Sequence, residues 1–365
     1  MASAVNGSGL TLLVKYAFEV SEVLFIDLFQ SQSLTSILAI DTGISVKTQI
    51  PIYGGLNGNV GKQGKTCNLE VANNTFNLSE KYWDPVTVAD RFEQCYTDLN
   101  RTVWEAMISE SPNPADLTNV QSFINYFVGG VVNAFEIALW REIWFSDTAI
   151  DNISNGGILE NTVDVDYFNK LDGLFKQIFT AVAANPSLKS TGILATRNAG
   201  ATLAAQQFTD ADTTGQVVTR ELQRMIQSAD IRLLRKEGLQ LLVTQSVFNQ
   251  LLAENIWLNA SFDKTDLENG RTSIPILGYE AIAVPEWDLI IADNFVQNAN
   301  GARYLPHRAV FSYYGNMRVG TPATERLDPN TNTLFYDQKD RKLYLDVELE
   351  LDAKLIEDNM LKVAY

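Results

Sequence analysis

Histidine and cysteine are almost missing from this chain. One histidine, His307, and two cysteines, Cys67 and Cys95, are all that its 365 residues contain. Zinc sites built on several His and Cys ligands are thereby excluded, and any His-based triad depends on one residue. Two cysteines make no disulfide framework. Without a secretory signal, reduced structural thiols are expected. Positive charge is scarce as well: 28 Lys and Arg stand against 44 Asp and Glu, a net −16 at pH 7. Free binding to nucleic acid through a basic surface is disfavoured, because that affinity comes mainly from Lys and Arg on phosphates. The balance does not exclude a protein that merely encloses nucleic acid, since an acidic inner wall repels the polymer and lets it move. A basic region is also missing ahead of the first apolar run in "MASAVNGSGLTLLVKYAFEV", so this is not read as a signal peptide.

One apolar run is long enough to raise a membrane question: "FINYFVGGVVNAFEIALW", residues 123–140. Ser122, Asn125, Gly129, Asn133 and Glu136 recur within and just before it at helical spacing, as one narrow polar stripe. A mid-span Glu costs about 2.5–3.5 kcal/mol in lipid. The expectation is a long helix buried in protein, from Asp116 or Thr118 to about Phe145, with no membrane partner.

Along the chain, residues 1–43 mix short apolar runs with Ser, Gly and Thr, as an extended or partly helical arm. "SVKTQIPIYGG" (45–55) alternates as a strand, and "KTCNLEVANNTFNLS" returns as another. Between them Gly54, Gly55, Gly58, Gly61 and Gly64 make a flexible tip, so the whole reads as a long projecting hairpin loop. Residues 87–108 are expected to be helical at least in part, and "DNISNGG" (151–157) is a candidate domain boundary. Amphipathic helices are expected in "DVDYFNKLDGLFKQIFTAVA" and "VVTRELQRMIQSADIRLLRKEG". "LQLLVTQSVFNQLLAEN" reads as a buried strand followed by a helix starting at Ser246. "IPILGYEAIAVPEWDLIIADNF" reads as two strand-like runs separated by Pro285. The class is α+β.

The chain closes on "KLYLDVELELDAKLIEDNMLKVAY". From Leu343 to Leu355 every odd position is apolar, while Tyr344, Asp346, Glu348, Glu350, Asp352 and Lys354 fill the even ones. This is a strand with a buried and a solvated face. Its carboxylate row is a poor metal or acid–base site, because same-face neighbours on a strand lie about 7 Å apart. "NTLFYDQ" is expected to turn through "KDRK" into it as a hairpin.

A search for other chemistry gives little. "GNVGKQGKT" ends like a phosphate-binding loop at Gly64, Lys65 and Thr66, but Asn59 stands where the first glycine is required. Its flanks are strand-like rather than strand then helix. "WDLIIADN" ends in Asp293 as a metal-binding strand can, yet apolar runs ending in Asp are common. His307, in "YLPHRAVFSYYG", reads as a polar contact or a subunit-boundary residue. No catalytic residue, cofactor site or metal site is expected.

That order of parts resembles the major capsid protein of tailed bacteriophages, the Hong Kong 97-type fold. Three stretches carry the likeness: "LLVTQSVFNQLLAEN" (241–255), "LPHRAVFSYYGNMRVGT" (305–321) and the closing "LYLDVELELDAKLIEDNMLKVAY". The resemblance implies an N-terminal arm (1–43), an extended β-hairpin loop (44–86) and a peripheral domain with the spine helix (87–149). An axial domain (150–310) and the peripheral domain's C-terminal strands (311–365) follow. It further implies a non-enzymatic subunit that self-assembles as homo-pentamers and homo-hexamers into an icosahedral shell around double-stranded DNA. That DNA is held without sequence-specific contacts. The protein would then reside in the virion after assembly in the host cytoplasm. A portal, a separate scaffolding protein and a decoration protein are the implied partners, since no long charged N-terminal coiled coil of the fused-scaffold kind is present. Inter-subunit contacts are expected at Gly58, Gly61, Lys62 and Lys65 of the loop tip and at Glu348 and Glu350 of the closing strand. Two rivals are an encapsulin-like compartment of the same fold and, from another class, a soluble carboxylate-based enzyme or calcium-dependent binding protein.

Overall fold

The computed structural model describes residues 32–54, 77–95, 117–149, 165–258, 265–266, 271–323, 333–337 and 342–365. A helical turn at Gln32–Thr35 leads into β1 (Ala39–Thr42), the hairpin β2 (Gln49–Gly54) and β3 (Asn77–Tyr82), then β4 (Val86–Cys95). Helix α1 (Leu117–Phe145) is followed by α2 (Leu174–Ala184), β5 (Lys189–Ser190) and α3 (Val217–Gln227). β6 (Leu239–Val243) runs into α4 (Gln245–Trp257), and β7 (Thr265–Asp266), β8 (Thr272–Ile276), β9 (Tyr279–Ala283) and α5 (Pro285–Asn294) come next. The chain ends through β10 (Ala309–Tyr313), β11 (Met317–Thr321), β12 (Thr333–Asp337), β13 (Lys342–Leu355) and β14 (Leu361–Ala364).

Among the described residues the strands form two sheets and a separate ribbon. In the first sheet β13 is the hub. β4 pairs with it antiparallel from Lys342↔Cys95 to Leu351↔Val86, and β12 pairs at Lys342–Asp346. β11 pairs beyond them from Asp352 to Leu355 and carries β1 in parallel. A hairpin alone would leave β13 as an outer strand, but the structure gives it partners along both edges. The hairpin with β12 is there, but fourteen residues of alternating pattern give β13 room for three partners. Leu345, Val347, Leu349, Leu351, Ala353 and Leu355 are all buried, in one core with Val131, Phe135 and Leu139 of α1.

The second sheet has the order β5-β14-β10-β6-β9-β8-β7. Its inner strands read as nearly continuous apolar runs because both faces are covered. Leu242, Ile282, Val310 and Val363 point into the core that holds α1, α2 and α5. Their neighbours Leu241, Ala281, Phe311 and Ala364 point into a second core lined by α3 and α4. The strand-then-helix reading of 241–255 holds, with α4 beginning at Gln245.

Helix α1, 29 residues long, matches the expected long helix. At about 1.5 Å per residue it spans about 44 Å. Val131, Phe135, Leu139 and Ile143 are buried while Asn133, Ala134 and Ile137 are exposed, so its described part is amphipathic. Among the described residues no helix is long and apolar enough to cross a membrane.

Two other stretches differ from the sequence reading. Residues 86–95 form a strand, whereas 96–108, the rest of the stretch expected to be helical in part, lie outside the described residues; Val86, Val88 and Phe92 pack on the core while Thr87, Ala89, Arg91 and Glu93 are exposed, a period of two. Residues 285–294 form α5 rather than a strand. Pro285 at the first helical position has its φ preset, and Glu286 and Asp288 favour the positive N-terminal end. The described end of the N-terminal arm is part of the fold, with Leu34, Ile37 and Leu38 at 0–1% exposure.

Gly320 on β11 is a close-packing position. A Cβ there would lie 2.6 Å from Ile44 Cδ1 and 2.8 Å from the Trp83 ring. Gly320→Ala is expected to lower stability in urea unfolding by about 1–3 kcal/mol, the usual cost of overpacking. Gly130→Ala on α1, where a Cβ meets nothing within 4 Å, should leave stability unchanged or raise it by up to about 1 kcal/mol. Val347→Asp, placing a charge at a 1% exposed position, should abolish the cooperative transition.

Candidate assembly surfaces

The ribbon β2–β3 stands outside both sheets. Six residue pairs join it, from Gln49↔Tyr82 to Gly54↔Asn77. Its root is fixed: Lys47 N–H donates to Trp83 O at 2.8 Å and Trp83 N–H to Thr48 O at 3.0 Å. Trp83 is buried against Gly320. Lys81 reaches the end of β13, donating to the Leu355 carbonyl and pairing with Asp358 at 2.7 Å. Gln49, Pro51, Ser79, Glu80 and Tyr82 are exposed. Gly58, Gly61, Lys62 and Lys65, expected at the tip, lie outside the described residues, as do Cys67 and the phosphate-loop-like stretch.

On the outer face of β13 the carboxylates divide into different environments. Asp346 accepts two hydrogen bonds from the Arg91 guanidinium on β4, one at 2.8 Å. Glu348 is half-buried and Glu350 is exposed. Asp352 departs from the expected solvated face, being 3% exposed. It accepts Asp84 N–H at 2.8 Å and pairs with Lys354 at 3.0 Å, and burial pushes its carboxyl up from the ordinary range. Of the row, Glu350 is therefore the best placed to meet another molecule.

Buried ionisable groups elsewhere serve as caps and pins. Glu254 accepts Val218 N–H at 3.0 Å and Thr219 N–H at 2.8 Å, capping α3. Asp288 does the same for α4 through Gln245 and Ser246, and burial raises it to about 6. His307 donates from Nε2 to the Gln206 carbonyl at 2.7 Å and accepts at Nδ1 from Ser246 Oγ at 2.8 Å. Burial lowers it to about 4, so the ring is neutral at pH 7 and the bland polar-contact reading fits. Arg308, fully buried, lies 4.3 Å over the Phe175 ring and donates to the Leu305 carbonyl; burial lowers it to about 9. Sequence reasoning missed Arg308 as an anchor, because its aromatic partners come from distant helices. Among the described residues no group of three His, Cys, Asp or Glu is placed to hold a metal ion.

No family model matches the chain, and no curated protein matches it. Solved structures do. Across a satellite phage P4 procapsid structure the identity is 9% and the TM-score 0.48, covering 91% of this chain and 94% of that one. The chain is similar in structure to phage capsid subunits. The capsid of cyanophage P-SCSP1u aligns at 11% identity and TM-score 0.45, over 92% of this chain and 87% of that one. The SrpI encapsulin complex of Synechococcus elongatus PCC 7942 aligns at 11% and 0.38, over 91% and 86%. At these identities the likeness is one of chain path alone.

Glu142, 2% exposed at the end of α1, has its carboxyl raised to about 7 by burial, against a bond from Ser146 Oγ that lowers it. The folded state therefore holds this proton where the unfolded chain has lost it. Its contribution is complete below the unfolded value of 4.5 and is lost as pH rises to about 7. Urea unfolding should show stability falling across that window by at most about 1.4 kcal/mol per pH unit from this group. Glu142→Gln should flatten the fall.

Proposed function

We propose that this chain is the subunit of a closed icosahedral shell, the major capsid protein of a tailed bacteriophage, assembling as pentamers and hexamers around double-stranded DNA. The observation that carries the reading is the ribbon β2–β3. It is firmly rooted on the first sheet, yet among the described residues it adds to neither sheet. A two-stranded ribbon by itself is marginally stable in water, and its strand edges are open pairing sites. Its stabilising partner is then another copy of the same chain. The net charge of −16 supports a wall that contains nucleic acid without gripping it. Domain roles follow the same reading: the first sheet with α1 as the peripheral domain, the second sheet with α3 and α4 as the axial domain. Portal, scaffolding and decoration proteins are the partners proposed with it, in a virion assembled in the host cytoplasm.

The contacts proposed are between the ribbon tip, with Gly58, Gly61, Lys62 and Lys65, and an acidic surface of the next subunit that includes Glu348 and Glu350. Gly58→Pro with Gly61→Pro should leave the subunit folded by circular dichroism and cut particle yield in sedimentation by about tenfold or more, the effect of roughly 1.4 kcal/mol per contact set. Glu350→Lys should likewise keep the melting temperature and alter particle yield. Normal particles from both variants would reject the proposed contacts.

A further inference from the structure

One stretch of the surface runs against the chain's acidic balance. Residues 220–237 carry Arg220, Arg224, Arg232, Arg235 and Lys236 against Glu221, Asp230 and Glu237, in a chain of net −16. Helix α3 buries Val218, Glu221, Leu222, Met225 and Ile226, which leaves Arg220, Arg224 and Gln227 along its exposed stripe. Nearby carboxylates are already engaged. Glu221 accepts Leu194 N–H at 2.9 Å on the buried side, Asp230 holds Arg232 at 2.7 Å and Glu357 holds Lys236 at 2.7 Å. Among the described residues neither Arg220 nor Arg224 forms a salt bridge. Large apolar side chains are exposed at both ends of the stripe. Beyond its last residue comes Ile231, 75% exposed, at the start of a short helical turn, Ile231–Leu234. Beside its first turn lies the end of α4, because Glu254 binds Val218 N–H and Thr219 N–H. Trp257 and Leu258 follow Glu254 by three and four positions, the spacing that keeps side chains on one side of a helix. They are 60% and 47% exposed. The eleven residues of α3 span about 16 Å, so two cations stand between apolar ends about three helical turns apart.

We propose that this surface docks an acidic amphipathic helix of another protein. Carboxylates on such a helix pair with Arg220 and Arg224. Its apolar residues, three to four positions apart, cover Trp257 and Leu258 at one end and Ile231 at the other. Nucleic acid is the poorer match. Phosphates satisfy the arginines but leave Ile231 and Leu258 in water, and a long polyanion also meets the acidic remainder of the surface. A short helix lies on the stripe alone. The docking surface does not rest on the shell reading, and its test reads binding rather than particle formation.

The test is fluorescence anisotropy with the full chain and a labelled helical peptide of about five turns, with Leu on one face and Glu on the other. Binding should saturate with a Kd on the order of micromolar. Arg220→Glu with Arg224→Glu should weaken it by about tenfold or more. Ile231→Ser with Trp257→Ser, in chains still folded by circular dichroism, should weaken it by about fivefold or more. No binding, or binding that either double substitution leaves unchanged, would overturn the proposal. A labelled oligonucleotide that binds more tightly than the peptide would also overturn it, by assigning the stripe to nucleic acid. So would self-association of the chain, without peptide, that is lost with Arg220→Glu and Arg224→Glu, since it assigns the stripe to a second copy.

Discussion

The two-faced strand β13 is the constraint on which the rest of the molecule hangs. β4, β11 and β12 pair with it directly, β1 pairs through β11, and the β2–β3 ribbon is pinned to its end by Lys81. Its buried face supplies six consecutive odd-numbered side chains to the core that also holds α1. Each fully buried Leu or Val is worth about 1.5–3 kcal/mol relative to exposure, so register matters. A shift by one residue would turn the whole apolar set outward and bring Asp346, Glu348, Glu350 and Asp352 inward.

That arrangement has a kinetic side. Arg91 and Asp346, partners across β4 and β13, stand 255 positions apart. The first sheet cannot close until the end of the chain is made, and pairings of such separation form late and slowly. The second sheet draws on nearer segments: β6, α4, β8 and β9 lie within residues 239–283. It is the natural early unit, and β10, antiparallel to β6, begins the return to the first sheet through β11.

Much of this was legible in the residues, for definite reasons. The alternation of 343–355 and the long amphipathic run ending at Phe145 state their periods over many residues, and both elements are present. The β6–α4 unit is legible because β-rich apolar residues give way at Thr244 to helical spacing. The alternation of β4 is hard to see in the residues because Asp90, an acidic residue, stands in step with Val88 and Phe92. In α5 the apolar run Leu289–Ile290–Ile291 has no period of its own, and Pro285, which starts the helix, equally suits a break between two strands. Asp352 shares a face with solvated neighbours and is nevertheless buried by Asp84 and Lys354, a contact that no local pattern announces. The expected loop-tip contacts at Gly58, Gly61, Lys62 and Lys65 fall outside the described residues.

The proposed shell reading rests on a rooted ribbon that has no third strand among the described residues and on the net charge of −16. Negative-stain electron microscopy of the purified full-length protein, with particle mass measured on the same sample, tests this most directly. The account predicts closed particles of uniform size containing many copies of the 40.6 kDa chain. A dispersed monomer at every concentration and ionic strength tried would contradict it.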